Sequence, residues 1–210
     1  GLAAAHYLAT EFGITNVAVL EKGYLGRGGT GRNTAIVRSN YLTPQGASFY
    51  QASVELFQDL SRQLDLNLFY SERGHFTLAH SPASLRTQRW RAEVNKQLGI
   101  DSELITPEEV RKMGPEIDLQ CGGHQPPIHG ALYHPPGAIA RHDAVAWGYA
   151  RRAGEAGVEI HQQTAVTDIE VRDGAVCGVH TNKGFIKTEK VLSAVAGWTT
   201  EIRQYHMVKL

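Results

Sequence analysis

The chain has 210 residues with Lys plus Arg and Asp plus Glu balanced at 21 each, enough for one large domain or parts of two, and without a global field to attract nucleic acid or an anionic membrane surface. Neither partner is expected. Cys121 and Cys177 form no C-x-x-C pair, no cationic leader precedes an apolar core, and no apolar run reaches the roughly twenty residues of a membrane span, so the expectation is a cytoplasmic protein with free thiols.

The opening residues Gly1-Leu-Ala-Ala-Ala-His-Tyr-Leu-Ala9 predict a helix with Leu2, Ala5, Ala9 and Phe12 on one face and Gly13 as its left-handed stop. A strand from Val17 to Leu20 follows and ends in Glu21. This is the back half of a βαβ unit. Gly1 stands where a G-x-G-x-x-G fingerprint has its last glycine, and Glu21 follows at the spacing of the acidic residue that takes the ribose hydroxyls. A carboxylate there accepts two hydrogen bonds and repels a 2′-phosphate, which favours FAD or NAD over NADP. Lys22 can lie against the adenine or in solvent.

From Gly23 to Asn33 the glycines Gly23, Gly26, Gly28, Gly29 and Gly31 leave backbone amides bare, and Arg27, Thr30, Arg32, Asn33 and then Thr34 add donors suited to a pyrophosphate. The apolar run Ala35-Ile-Val37 carries Arg38 toward an interior face, where a guanidinium can clamp a carboxylate or pair with a nearby acid.

Pro44 opens a long helix with a predicted inward stripe of Phe49, Ser53, Leu56, Leu60 and Leu64. Phe69 to Ala79 reads as strand around a turn at Arg73-Gly74, and Ser81-Pro82 caps a helix ending near Gly99. Thr106-Pro-Glu-Glu109 is a capping box for a short helix that stops near Gly114. Gly122 to Gly137 reads as a loop rich in Gly, Pro and His. The spacing of His124, His129 and His134 matches no compact ligand pair, so no metal is expected.

A helix from Asp143 to Ala156 follows, with Val145, Tyr149, Ala153 and Ala156 inward and Trp147 assigned to packing. Strands are predicted at Val158 to His161, Val166 to Val171, Ala175 to Thr181, Phe185 to Thr188 and Val191 to Val195. His142, between Arg141 and Asp143, stands where that helix begins, and Asp143 can orient its ring or cap the helix.

Several stretches together resemble the β subunits of heterotetrameric sarcosine oxidases, in the flavin-dependent D-amino-acid and glycine oxidase superfamily. They are residues 1–9, Val17-Ala-Val-Leu-Glu-Lys-Gly23, Gly31-Arg-Asn-Thr-Ala-Ile-Val-Arg-Ser-Asn-Tyr41, Arg73-Gly74, Leu104-Ile-Thr-Pro-Glu-Glu-Val110 and Arg141-His-Asp-Ala-Val-Ala-Trp147. The resemblance implies an α/β fold: a discontinuous Rossmann-type FAD-binding domain of glutathione-reductase type over 1–65 and 139–203, and an incomplete inserted α+β substrate domain over 66–138. It implies oxidative demethylation of sarcosine to glycine, formaldehyde and hydrogen peroxide, with FAD as hydride acceptor and a covalent FMN as electron relay. Other subunits would bring NAD and a folate site.

By the same resemblance Gly1, Glu21, Lys22, Gly29, Thr30, Arg32, Asn33, Thr34 and Ile36 contact flavin nucleotide, and Val166 offers its main chain to the adenine. Arg38 holds the amino-acid carboxylate, and His142 carries the FMN. Two rival readings remain at this stage: a single-flavin glycine or dimethylglycine oxidoreductase with a structural His142, and a non-catalytic fragment. Against the family pattern the chain reads as truncated at both ends, so the isolated polypeptide is expected to bind FAD weakly and to be inactive.

Overall fold

Residues 1–198 are described by a computed structural model. The chain opens with helix α1 (Leu2–Thr10) and strand β1 (Ala18–Leu20). Then come β2 (Ile36–Val37), α2 (Pro44–Gln63), β3 (Ser71–Glu72), β4 (His75–Ala79), α3 (Pro82–Gln97), β5 (Glu103–Ile105), α4 (Pro107–Met113), β6 (Gly130–His134) and β7 (Ala138–Ile139). It continues with α5 (His142–Glu155), β8 (Glu159–His161), β9 (Val166–Arg172), β10 (Ala175–Thr181) and β11 (Gly184–Lys187). Two compact units result. One joins Gly1–Asn33 to the chain from His142 onward, and the other is the intervening Thr34–Arg141.

In the discontinuous unit, β1 pairs in parallel with β8, with Ala18 opposite Glu159 and Leu20 opposite His161. Parallel strands so far apart in sequence need helices on their faces. α1 and α5 supply that cover, and Ala5, Ala9, Ala153 and Val158 form a core with Val17, Val19, Ala156 and Ile160. The small side chains let the helices approach closely. Gly157, with φ +95°, ends α5 and turns the chain into β8. Strands β9, β10 and β11 form an antiparallel meander. Its first turn places both Asp173 (φ 52°) and Gly174 (φ 78°) in the left-handed region, as a tight hairpin of matching twist requires.

In the continuous unit, β6 is the centre of the sheet β4-β6-β5, and β7 is the centre of β2-β7-β3. Alternation along β6 divides its two faces. Ala131 and Tyr133 join Ile105, Val110, Leu119, Ile128, Phe76 and Leu78 in the core under α4. Leu132 and His134 lie on the opposite face, and both are fully buried. The capping box forms, with Thr106 and Glu109 satisfying each other's backbone amides.

Several expectations are corrected. The stretch from Gly122 to Gly137 is not one loop: Gly130–His134 is a paired strand, because β4 and β5 bond it on both edges while the Pro and Gly residues only delimit it. The buried stripe of α2 is Ala47, Val54 and Leu60, leading to Leu64, whereas Phe49 (71% exposed) and Leu56 (52%) face outward. Phe12 falls beyond the end of α1 and is exposed. On α5 the buried positions are Ala146, Gly148, Ala150 and Ala153; of the predicted inward set Ala153 is buried and Ala156 packs against the core, whereas Val145 and Tyr149 are only half-buried.

Residues 191–195 form no strand, since among the described residues no neighbour offers them a ladder. Residues 199–203 of the predicted nucleotide domain lie outside the described residues. No helix among the described residues is long and apolar enough to cross a membrane.

Leu132 is fully buried in the continuous unit. Leu132→Ala is expected to lower stability by about 2–5 kcal/mol, transfer and cavity terms together, as read by urea unfolding.

Candidate functional site

Helix α1 begins at Gly1 without a side-chain cap, so its first amides are available to an outside acceptor and the positive end of its dipole faces the same way. Helix and strand are joined by a short connection and share one core, so they run in opposite senses and bring the start of α1 to the end of β1. The chain near 194–198 supports this placement. Ala194 lies 3.7 Å from where a Cβ on Gly1 would sit, and the Lys22 Nζ stands 3.7 Å above the Trp198 ring. Four residues span at most about 14 Å, so Gly1 and Lys22 share one edge.

Glu21 lies at that edge. Its amide donates to the His161 carbonyl (2.9 Å) and its carbonyl accepts from the Thr164 amide (2.9 Å), which extends the β1–β8 pairing past the strand end. Its Oε1 accepts the Gly23 amide at 2.7 Å. The other carboxylate oxygen is left for hydroxyl donors. Uncapped amides, a carboxylate and a cation along one strand edge form a donor and acceptor set that fits a dinucleotide.

The glycine-rich segment folds back tightly. A Cβ on Gly31 would collide with the Gly26 carbonyl oxygen, so only glycine fits there. Residues Gly29–Gly31 make a turn of 3-10 helix. Asn33 donates its side-chain amide to the Gly29 (3.2 Å) and Thr30 (2.6 Å) carbonyls, so it holds the loop closed. Gln162 accepts the Leu25 amide at 2.9 Å and ties the loop to the end of β8.

This loop meets the start of α5 in a cleft of about 430 Å³ lined by Tyr24, Leu25, Gly26, Arg27, Gly31, Arg32, His142, Asp143, Trp147 and Gln162. His142 is half-buried there, and its Nδ1 is enclosed without a hydrogen-bond partner. Asp143 accepts its neighbour's amide, Ala144 N–H, at 2.9 Å. Two guanidiniums, two exposed aromatic rings and an orphaned imidazole nitrogen in one cleft fit an anionic, planar, ring-bearing ligand. Trp147 is therefore a correction: it is 56% exposed and lines the cleft rather than packing in the helix interface.

Arg38 lies in the continuous unit. Its Nη1 donates to Asn40 Oδ1 at 2.8 Å and its guanidinium stacks 4.4 Å from the Tyr41 ring. Its hydrogen-bond partner is an amide, not an acid. The next residue, Ser39, is fixed by His134, whose Nε2 accepts the Ser39 amide at 3.3 Å while the Nδ1–H donates to the Asp101 carbonyl at 2.5 Å. That bonding pattern is met by a neutral ring. Burial moves the pKa of His134 down, against the Asp101 carbonyl and charge, which push it up. His75, directly opposite His134 in the sheet, is held down to about 4, first by burial and then by Arg38, His134 and Arg91.

The predicted site residues thus divide. Gly1, Glu21 and Lys22 share one strand edge, and Gly29, Thr30, Arg32 and Asn33 form the loop, of which Arg32 reaches the cleft with His142. Val166 opens β9 opposite Thr181. Thr34, Ile36 and Arg38 belong to the continuous unit, with Ile36 exposed on β2. Tyr24, Trp147 and Gln162 were not singled out as site residues by sequence, and Arg27 was read only as one of the donors of the glycine-rich loop. For Trp147 a signal existed, since it lies outside the small-residue stripe Ala146, Ala150 and Ala153 that α5 buries.

Residues 1–210 match the family described as FAD dependent oxidoreductase (DAO). The chain belongs to the DAO family. Among its relatives, the sarcosine oxidase subunit beta of Rhizobium meliloti (strain 1021) is 45% identical over 210 residues, all of this chain and 50% of that protein. The subunit of the same name from an Arthrobacter species is 44% identical, covering 97% of this chain and 50% of its own. This DAO chain thus spans about half the length of the curated relatives it matches. In fold it is similar to L-proline dehydrogenase from P. horikoshii, with a TM-score of 0.85 and 25% identity over 97% of this chain and 52% of the other. The fold is therefore the α/β, Rossmann-type architecture of FAD oxidoreductases.

The low pKa of His75 has a measurable consequence. Between its ordinary 6.5 and about 4, the unfolded chain takes up a proton that the native ring refuses, so stability falls as pH falls through that window. His75→Gln is expected to flatten the decline of Tm between those pH values, as followed by circular dichroism.

Proposed function

We propose that this chain forms the nucleotide-binding half of a sarcosine-oxidase-type β subunit, a flavin-dependent amine oxidoreductase that converts sarcosine to glycine, formaldehyde and hydrogen peroxide. The observation that carries the reading is the enclosed Nδ1 of His142 in a cleft with Arg27 and Arg32, in a chain 45% identical to such a subunit. FAD supplies hydride acceptance when bound, and FMN supplies onward electron transfer.

The chain's own residues have separable tasks. Gly1 with the α1 amides and the loop donors Gly29, Thr30, Arg32 and Asn33 serve the FAD phosphates, and Thr34 and Ile36 are assigned to the same nucleotide. Glu21 takes the adenosine ribose, Lys22 flanks the adenine and Val166 offers its main chain to the adenine edge. Arg38 holds the substrate carboxylate so that the amine faces the flavin, which lowers the barrier by orientation and requires no strong protein base. His142 is the attachment point for FMN. Arg27 and Arg32 neutralise its phosphate, and Trp147 and Tyr24 offer flat faces to its ring. The rest of the enzyme, including a subunit that carries NAD, completes an assembly in the cytoplasm.

Two measurements test this reading. Glu21→Gln keeps an oxygen for the Gly23 amide but removes the charge facing the ribose, and retained FAD is expected to bind about tenfold more weakly or worse. Unchanged affinity would remove Glu21 from the nucleotide site. In the purified enzyme, digestion and mass spectrometry are expected to find the His142 peptide heavier by one FMN, and His142→Asn to lose that adduct. An unmodified peptide from a protein that still holds FAD would favour the single-flavin amine oxidoreductase instead.

A further inference from the structure

Residues 162–165, which join β8 to β9, are braced on two sides. On one side they hold the glycine-rich segment. The Thr164 amide donates to the Glu21 carbonyl and the Gln163 amide to the Gly23 carbonyl, both at 2.9 Å, and Gln162 Oε1 accepts the Leu25 amide at 2.9 Å. Gln163 reverses the connection with φ 54°, a left-handed conformation that a side chain disfavours and that the surrounding bonds must maintain. Only Thr164 is buried among the four, so hydrogen bonds rather than packing fix this strap.

On the other side the strap meets the tip of the β10–β11 hairpin, where Asn182 uses its side chain and main chain together. Its Oδ1 accepts the Ala165 amide at 2.8 Å, its own amide donates to the Ala165 carbonyl at 3.0 Å, and its Nδ2 donates to the Gln163 carbonyl at 3.4 Å. Lys183 adds its Nζ on the Gln162 carbonyl at 3.0 Å. The reciprocal pair with Ala165 extends the β9–β10 ladder one step past Val166, which lies opposite Thr181. A carboxamide suits this position, because one planar group supplies an acceptor for an amide and a donor for a carbonyl. Asn182 is exposed, so it acts through these bonds and not through burial.

We propose that Asn182 is a positioning residue for the adenosine end of the dinucleotide: by bracing residues 163–165 it fixes the spacing between the Glu21 carboxylate, which takes the ribose, and the Val166 main chain, which meets the adenine. This rests on the assignment of Glu21 and Val166 to FAD and extends it to a hairpin tip that itself touches no nucleotide. Ribose and adenine are rigidly joined, so both anchors engage at once only when their separation is set beforehand. With the strap loosened, binding has to order it, and that cost is taken from affinity.

The test uses the purified holoenzyme, stripped of FAD and titrated with FAD and, separately, with ADP, which carries the adenosine end without the flavin ring. Asn182→Ala is expected to weaken both ligands by about threefold to tenfold, the net worth of a hydrogen bond or so. Asn182→Asp keeps the acceptor for the Ala165 amide and is expected to recover part of that loss. Asp173→Ala, at the other turn of the same meander, is the control: it strains a left-handed position (φ 52°) and is expected to lower Tm while both affinities stay at the parent value. Parent-like affinities in Asn182→Ala would overturn the proposal, as would a loss seen with FAD but not with ADP, or one matched by Asp173→Ala. Glu21→Gln separates the two levels. If it weakens FAD while Asn182→Ala does not, the positioning role falls and the nucleotide edge stands; if neither variant changes affinity, both fall.

Discussion

The parallel pairing of β1 with β8 is the constraint on which the nucleotide-binding unit depends. It joins residues 18–20 to 159–161, and everything chemically interesting in that unit follows from the register. Continued past the strand ends, the pairing holds Glu21 between His161 and Thr164 and the loop start against Gln162. With those anchors fixed, the glycine-rich segment has one direction in which to fold, toward the first turn of α5. The cleft that contains His142 is thus a product of strand pairing, since its two walls come from chain segments more than a hundred residues apart.

In the other unit the organising feature is a strand buried on both faces. One side of β6 meets an ordinary apolar core through Ala131 and Tyr133. The other meets polar side chains, and His134 is the pivot: its ring bonds the main chain at Ser39 and at Asp101. A fully buried imidazole that uses both nitrogens to hold backbone is a device for placing a turn. The turn it places carries Arg38.

Much of this was legible in the sequence where local chemistry is explicit. The Thr106 to Glu109 capping box, the Asp173-Gly174 turn, the first-turn prolines at 44 and 82 and the helix-then-strand order ending in Glu21 each state a local geometry that the chain adopts. What local pattern could not convey was which face of an element is covered. Phe49 and Leu56 continue a good helical stripe, yet Ala47 and Val54 face the interior. Gly130–His134 is flanked by turn formers and reads as a loop until its two partner strands are known. Gly1 and Glu21 were singled out by spacing and the loop donors by composition, but the cleft was not, because Arg27, Trp147 and Gln162 converge only after distant strands pair.

The two-part origin of the nucleotide unit also bears on how the polypeptide is made. Residues 34–141 are contiguous and form a compact unit of their own, so they can collapse while synthesis continues. The opening helix and strand have no such option, because their lateral neighbour at 159–161 is about 140 residues downstream, roughly 7–28 s away at ordinary translation rates. During that interval the Ala- and Val-rich surfaces of α1 and β1 are open to unwanted association, and this helix–strand pair is where a chaperone would have most to shield.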